Sequence, residues 1–322
     1  MREDLLREAE AQTRETQRKN EETVLRRRQE IYEKYPEIRT LMEKRENLIY
    51  GSILDMLRGS GSAEDLPERM EEASAKIREG LKSRGLPEDY LSPIYDCPLC
   101  QDTGVVGEKI RERCECVKKR YQALVREAVG IKNDGSETFE AFRSDLFPDT
   151  MLPGSRNTQR QQMERVRRYC EKWANEYPEV QTRDMVLSGK TGLGKTFLLH
   201  AMANRLIQRD VPVLLVSAYS FLETARRSWF ENDDGLKELM ETEVLMLDDL
   251  GSEPMMQNVT TEQLFNLINE RQRAGRATVI STNLNEGELK ERYSERILSR
   301  LTDGRNCMFV PIQGQDIRNG RR

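Results

Sequence analysis

The second half of the chain alternates short apolar runs with amphipathic segments, whereas the first third carries sparser apolar positions at helical spacing. The apolar runs begin at Met185, Val211, Val244, Ala277 and Cys307. Uninterrupted runs of this kind are typical of parallel strands that are covered on both faces. Because helical segments separate them, the pattern predicts an α/β domain with a parallel sheet of about five strands flanked by helices.

The region before residue 93 is predicted to be helical. Residues 1–34 are rich in Glu, Arg and Gln, which indicates a solvated or partner-bound helix rather than a strong heptad seam. Tyr35-Pro36 interrupts this pattern, and a denser apolar stripe from Ile38 to Leu57 predicts a second helix. Gly59-Ser60-Gly61-Ser62 has the composition of a flexible linker, and a further helix is expected over about residues 63–81.

Composition agrees with a multidomain enzyme. The chain has 322 residues, of which 37% are hydrophobic and 34% charged, so exposed helical surface must be extensive. Its formal net charge of −4 argues against nonspecific coating of DNA, and any nucleic-acid contact should be a local patch. The N-terminus is unlike a secretory signal and no apolar run has the length of a membrane span, so we expect a cytoplasmic protein without membrane association.

The most specific motif directly follows the apolar run at Met185. Its sequence is Gly189-Lys190-Thr191-Gly192-Leu193-Gly194-Lys195-Thr196, and a helical segment, Phe197 to Gln208, comes next. A glycine-rich loop between a strand and a helix is typical of phosphate-binding loops. Its glycines let backbone N–H groups approach the phosphates, and the helix N-terminus adds its dipole. We expect Lys195 to reach the β- and γ-phosphates and Thr196 to complete the ligands of a Mg²⁺ ion.

Polar residues end two further predicted strands. Asp248 and Asp249 follow the run at Val244, and Asn283 follows the run at Ala277. Such residues are also common in caps and turns, but carboxyl ends of parallel strands meet at one edge of the sheet, where ligands bind. We therefore expect Asp248 to hold Mg²⁺, Asp249 to orient the attacking water and Asn283 to bind the γ-phosphate or that water.

Two arginines, Arg296 and Arg300, lie one helical turn apart in a later segment. A solvated helix face is the commoner interpretation of this spacing. The alternative is that they reach a nucleotide bound by a neighbouring subunit, because a guanidinium donated in trans stabilises charge in phosphoryl transfer.

Four cysteines cluster in a C-x₂-C-x₁₃-C-x-C pattern formed by Cys97, Cys100, Cys114 and Cys116. Free thiols or a redox C-x-x-C are alternatives, but a second closely spaced pair favours Zn²⁺ in a reducing compartment. Four thiolates leave no open position for water, so this zinc site should be structural.

The order of the phosphate loop, LMLDDLG, STNLN, ERILSRL and a final arginine after an apolar strand resembles the AAA+ ATPases of the DnaC/DnaI helicase-loader group, relatives of DnaA and IstB. The resemblance implies Walker A residues Lys195 and Thr196 and a Walker B pair Asp248 and Asp249. It also implies Asn283 as sensor I, Arg300 as the arginine finger with Arg296 beside it, and Arg318 as sensor II. Many AAA+ proteins have Glu where this chain has Asp249.

Four regions are expected: a helical partner-binding region at 1–92, a zinc knuckle at 93–130, a linker packing on the ATPase core at 131–160 and the AAA+ domain at 161–322. Between the second and third strands, Arg226, Arg227, Trp229 and Phe230 combine cations with aromatics. That composition suits a packed surface helix, and it also suits stacking and phosphate contacts with single-stranded DNA.

The resemblance implies an ATP-dependent loader of a DnaB-type replicative helicase onto single-stranded DNA, with ATP, Mg²⁺ and Zn²⁺ as cofactors. Subunits would self-associate through their AAA+ domains when ATP is bound. Two alternatives stay open, an IstB-like transposition ATPase and a scaffold that binds ATP without hydrolysing it.

Overall fold

The computed structural model describes residues 2–57, 65–107, 110–231, 235–256 and 259–320. It divides the chain into two compact units, Met1–Tyr121 and Gln122–Arg322. The Gly59-Ser60-Gly61-Ser62 linker predicted from composition lies outside the described residues.

The first unit is built from long helices and a small two-stranded sheet. Its elements are helices α1 (Arg2–Lys34), α2 (Pro36–Leu57) and α3 (Leu66–Ser83), then strands β1 (Val105–Val106) and β2 (Glu112–Arg113), which pair antiparallel. Ile31, Ile38, Ile77 and Leu81 form a buried cluster among the three helices. Pro36 occupies the first position of α2, where a backbone N–H group would have no partner within the helix, so a proline costs no hydrogen bond there. Helix α4 (Glu115–Ala128) contains the boundary between the two units.

The second unit alternates strands and helices as the apolar pattern predicts. Its elements in chain order are α5 (Gln159–Glu176), β3 (Asp184–Gly189), α6 (Lys195–Gln208), β4 (Val213–Ser217), α7 (Ala218–Glu231), α8 (Gly235–Glu241), β5 (Val244–Leu250), α9 (Thr260–Arg273), β6 (Ala277–Thr282), α10 (Glu286–Tyr293), α11 (Glu295–Leu301) and β7 (Cys307–Ile312). Short 3₁₀ turns lie at Ser144–Leu146 and Ile317–Gly320.

The second unit contains a five-stranded sheet with the order β4-β5-β6-β3-β7. Its paired strands are all parallel. Strands β3, β5 and β6 are almost fully buried, which explains their uninterrupted apolar sequences. The predicted five-strand parallel sheet is thus confirmed. Since β6 lies between β3 and β5, its carboxyl end separates the phosphate loop from the strand that carries Asp248.

At the amino edge of this sheet, a buried polar cluster joins three strands. The Arg271 side chain from α9 is fully buried and donates hydrogen bonds to Thr278 Oγ1 at 3.1 Å and to the carbonyl oxygen of Thr242 at 2.8 Å. Asp184, at the start of β3, accepts from the Thr278 amide at 2.7 Å. Burial lowers the pKa of Arg271 to about 10, so its guanidinium stays charged near neutral pH. The cluster therefore holds β3, β5 and β6 in register.

Among the described residues, no helix is both long enough and apolar enough to cross a membrane.

Candidate nucleotide and zinc sites

The phosphate loop has the predicted context of a strand followed by a helix. Strand β3 ends at Gly189, and α6 begins at Lys195. Gly192 and Gly194 have φ angles of 77° and 81°, in the left-handed region that a residue with a Cβ atom rarely adopts. These glycines allow the chain to turn sharply and present backbone N–H groups at the start of α6.

Lys195 is held in this loop by three hydrogen bonds. Its Nζ donates to the carbonyl oxygens of Gly189 at 2.6 Å and Lys190 at 2.9 Å, and to Asn283 Oδ1 at 2.8 Å. Burial lowers the pKa of Lys195, while the nearby carboxylates of Asp249 and Asp248 act in the opposite direction. An ammonium with few solvent contacts beside exposed backbone N–H groups is suited to bind phosphate.

The Thr196 hydroxyl and the Asp248 carboxylate lie next to each other, as a Mg²⁺ site requires. Thr196 Oγ1 is 3.1 Å from each carboxylate oxygen of Asp248. Ser281, buried at the end of β6, donates to Asp248 Oδ1 at 2.5 Å and accepts from the Asp249 amide at 2.9 Å. Hydroxyl and carboxylate oxygens are hard ligands that Mg²⁺ prefers, so these residues fit the ion.

Asp249 departs from regular strand geometry. The β5–β6 pairing is irregular between Leu247 and Leu250, and Asp249 has a φ of 57°. A bulge of this kind re-aims a side chain, and strained backbone of this sort often marks functional sites. Here the Asp249 carboxylate accepts a hydrogen bond of 2.5 Å from Asn283 Nδ2. The amide of Asn283 thus bridges Lys195 and Asp249.

These groups line one cleft at the carboxyl edge of the sheet. The cleft has a volume of about 340 Å³, and its lining comprises Thr191, Gly192, Leu193, Gly194, Lys195, Thr196, Asp248, Asp249, Ser281, Asn283, Ile317 and Arg318. Of the six residues predicted to be catalytic, the structure therefore brings five together.

Arg300 is the exception. It is exposed on α11, and its Nη2 donates to Asn269 Oδ1 of α9 at 2.9 Å. Arg296 is exposed on the same helix. Neither arginine lines the cleft of its own chain. An action on nucleotide would therefore require a second subunit.

The segment predicted as a linker packs on the phosphate loop. Phe147 is buried, and its ring lies 3.5 Å from the position that a Cβ atom on Gly194 would take. The Phe142 ring stacks on Phe147 with centroids 5.7 Å apart and lies 5.8 Å from the ring of Phe197. The segment thus brings aromatic side chains to the start of α6.

In the first unit, the four predicted cysteines converge. The sulfurs of Cys97, Cys100, Cys114 and Cys116 all lie within 4.8 Å of one another. The Cys97–Cys114 distance is 3.7 Å and the Cys100–Cys116 distance is 3.5 Å. Two sulfurs on one tetrahedral zinc are about 3.8 Å apart, given Zn–S bonds of about 2.3 Å. The thiol set therefore fits Zn²⁺.

Surrounding groups orient the cysteines. Asp102 is buried and accepts from the amide of Cys97 at 2.8 Å and from Asn20 Nδ2 at 2.9 Å. Hydrogen bonding from the Cys100 backbone lowers the pKa of the Cys97 thiol to about 7, whereas burial raises the pKa of the Cys100 and Cys116 thiols. Binding of a metal by all four sulfurs would therefore release protons from these two thiols. The cysteine spacing alone gives no indication of the fixed carboxylate of Asp102.

The remaining predicted patch is described only in part. Arg226 and Arg227 lie on α7, but the side chains of Trp229 and Phe230 are outside the described residues. The sequence pattern points to neither of two further residues: Ser281, which lines the cleft, and Asp316, which bonds to the cleft residue Arg318. Ser281 and Asp316 each precede a predicted site residue, Asn283 and Arg318, by two positions.

The parallel sheet, the phosphate loop and the acidic and amide residues at its carboxyl edge define a P-loop nucleotide-binding domain. Residues 174–322 match the family described as IstB-like ATP binding protein. The chain is 33% identical over 118 residues to the replicative helicase loader DnaI of Bacillus subtilis, covering 35% of this chain and 38% of that one. It is 28% identical over 131 residues to the replicative helicase loader DnaC of Escherichia coli K12, covering 39% and 52%.

A solved structure of the DnaC helicase loader is also similar, with a TM-score of 0.44 and 19% identity over 54% of this chain and 98% of that one. The segments matched in the DnaI and DnaC sequences cover less than two thirds of the length of those two proteins. The predicted resemblance to the DnaC/DnaI group is confirmed by these sequence similarities.

Proposed function

We propose that the cleft binds Mg²⁺–ATP and hydrolyses it to ADP and phosphate. The main support is the chain of contacts from Lys195 through Asn283 to Asp249 beside the Thr196–Asp248 pair. Lys195 would bind the β- and γ-phosphates, and Asp248 with Thr196 would hold Mg²⁺. Asp249 would orient the attacking water, because its carboxylate is re-aimed by the bulge and fixed by Asn283.

Two arginines would complete the site. Arg318 lines the cleft of its own chain and would bind the terminal phosphate. Arg300 is exposed on α11 and would act on nucleotide held by a neighbouring subunit, so that ATP-bound AAA+ domains associate.

We further propose that the protein loads a DnaB-type replicative helicase onto single-stranded DNA. Support comes from similarity to proteins named as replicative helicase loaders and from a zinc-compatible helical unit preceding the nucleotide-binding domain. In this scheme the first unit binds the helicase, and nucleotide turnover releases the loader.

A transposition ATPase is the second candidate, because the matched family is described as IstB-like. It would assemble on double-stranded DNA and recruit a transposase. The candidates differ in partner, so a binding experiment separates them.

The test uses the full chain with a purified DnaB-type hexamer and Mg²⁺–ATP. Gel filtration should show a complex, and a strand-displacement assay should show faster helicase loading on single-stranded DNA. The K195A variant should bind no ATP and give no stimulation, and wild-type phosphate release should exceed that of K195A. Wild-type phosphate release equal to that of K195A, despite ATP binding, would favour the non-hydrolysing scaffold. ATP-dependent complexes with a transposase and duplex DNA, and none with the helicase, would favour the transposition role.

A further inference from the structure

The segment after β7 is fixed to two elements that surround the nucleotide cleft. Gln159 of α5 donates from Nε2 to the Gln315 carbonyl oxygen at 2.8 Å and accepts from the Gln315 amide at 2.9 Å. The Ile317 amide donates to the carbonyl oxygen of Gly192 in the phosphate loop at 3.1 Å. Residues 315–317 therefore have a defined position relative to that loop.

Between these anchors, Asp316 packs on bare backbone of the phosphate loop. A Cβ atom added to Gly192 would lie 1.8 Å from Asp316 Oδ1 and 2.5 Å from Oδ2. The carboxylate thus occupies the space that any side chain at position 192 would need. The absence of a Cβ atom at Gly192 serves this contact as well as the loop conformation.

Asp316 also holds Arg318, which lines the cleft. Asp316 Oδ1 accepts from the Arg318 amide at 2.8 Å and from its Nε at 3.2 Å, and Oδ2 accepts from Nη2 at 3.1 Å. This side-on arrangement uses Nε and Nη2, whereas Nη1 is not bonded to Asp316. A guanidinium held along one edge can still donate from its other end to a phosphate oxygen.

We propose that Asp316 is a positioning residue that fixes the Arg318 guanidinium toward the terminal phosphate and so sets the preference of the cleft for ATP over ADP. The inference rests on the proposed binding of ATP in this cleft. Much of the Arg318 side chain, 62%, is exposed, so an unrestrained arginine would sample many rotamers. An arginine already held in one rotamer loses less conformational entropy when phosphate binds.

The opposite role for Asp316 is a competitor that withdraws Arg318 from the phosphate. The two roles predict changes of opposite sign when the carboxylate is neutralised. Positioning predicts weaker discrimination in favour of ATP, whereas competition predicts stronger discrimination.

The experiment measures dissociation constants of Mg²⁺–AMP-PNP and Mg²⁺–ADP for the full-length wild-type chain and for D316N, R318K, R318A and D316N/R318A. The preference is the ratio of the dissociation constant of ADP to that of AMP-PNP. We expect D316N to reduce this ratio about three- to tenfold, the scale of one partly solvated charge-assisted hydrogen bond. In the R318A background, D316N should change the preference no further, because the two residues act as a unit.

Asp303 provides a matched control. It pairs with Arg305 by the same spacing of two residues, with Nε 3.1 Å from Oδ1 and Nη2 3.4 Å from Oδ2, and it does not line the cleft. D303N should leave the nucleotide preference unchanged. R318K keeps both the charge and the Asp316 packing but loses the planar fork, and it should lower the preference as D316N does.

An unchanged or increased AMP-PNP preference in D316N, with wild-type thermal stability, overturns the positioning role and leaves the proposed function intact. An unchanged preference in R318K overturns it independently of any folding effect at Asp316. Absence of nucleotide binding by the wild-type chain overturns the proposed function, and this inference with it.

Discussion

Replacing Ser281 with alanine tests how the proposed magnesium site is organised. The Ser281 hydroxyl donates to Asp248 and accepts from the Asp249 amide, and the residue is only 1% exposed. S281A therefore removes one of the two hydroxyl groups that bond to the Asp248 carboxylate and leaves the part-buried N–H group of Asp249 unpaired. Partners that orient metal ligands in this way are typically worth 10- to 100-fold in metal affinity or activity.

Two effects are expected from this substitution. The unpaired Asp249 amide should lower the free energy of unfolding by about 1–3 kcal/mol. The Mg²⁺ concentration for half-maximal binding of a fluorescent ATP analogue should rise at least about tenfold, since Asp248 is no longer fixed beside Thr196. The assay titrates Mg²⁺ at a constant concentration of the ATP analogue. Urea denaturation measures the free energy of unfolding separately.

Two variants make the result specific. S281T keeps the hydroxyl and should retain most of the Mg²⁺ affinity. S188A removes a buried hydroxyl at the end of β3 that donates to the Leu284 carbonyl oxygen at 2.8 Å and touches neither acidic residue. It should leave the Mg²⁺ titration unchanged. If the S281A titration superimposes on that of the wild type, Ser281 does not organise the metal site.

Three further predictions concern the zinc set, the sheet and the subunit interface. Metal analysis should find one Zn²⁺ per chain. The C100S substitution or chelation should release the metal and lower the melting temperature of the first unit, whereas the control C170S should retain the metal. R271M should lower the free energy of unfolding, measured by urea denaturation, by about 3 kcal/mol or more, because the carbonyl groups of Leu239 and Thr242 lose their donor. R273A, on the exposed face of α9, should have little effect. R300A should bind ATP normally yet lose assembly-dependent hydrolysis, and R296A is the comparison on the same helix. Normal hydrolysis by assembled R300A would exclude a role of Arg300 in trans.

The sequence predicts most of the nucleotide site because its residues directly follow apolar strands, whose carboxyl ends must meet in a parallel sheet. The cysteine cluster is predictable for a similar reason, since its spacing is short and its chemistry narrow. Ser281 and Asp316 are harder to identify, because serine and aspartate are common in polar segments and only the fold shows what they contact. Arg271 is another such case, since an arginine in an amphipathic helix ordinarily indicates a solvated face.

The position of β6 has a consequence for the whole second unit. The loop that would bind the phosphates follows β3, and the acidic residues that would bind the metal end β5. These two strands do not pair with each other, because β6 lies between them. The spacing between the phosphate loop and the two acidic residues is therefore set by one intervening strand. Because Arg271 and Asp184 both hydrogen-bond to Thr278 at the opposite end of that strand, a substitution of either residue is expected to change this spacing without altering any residue of the cleft.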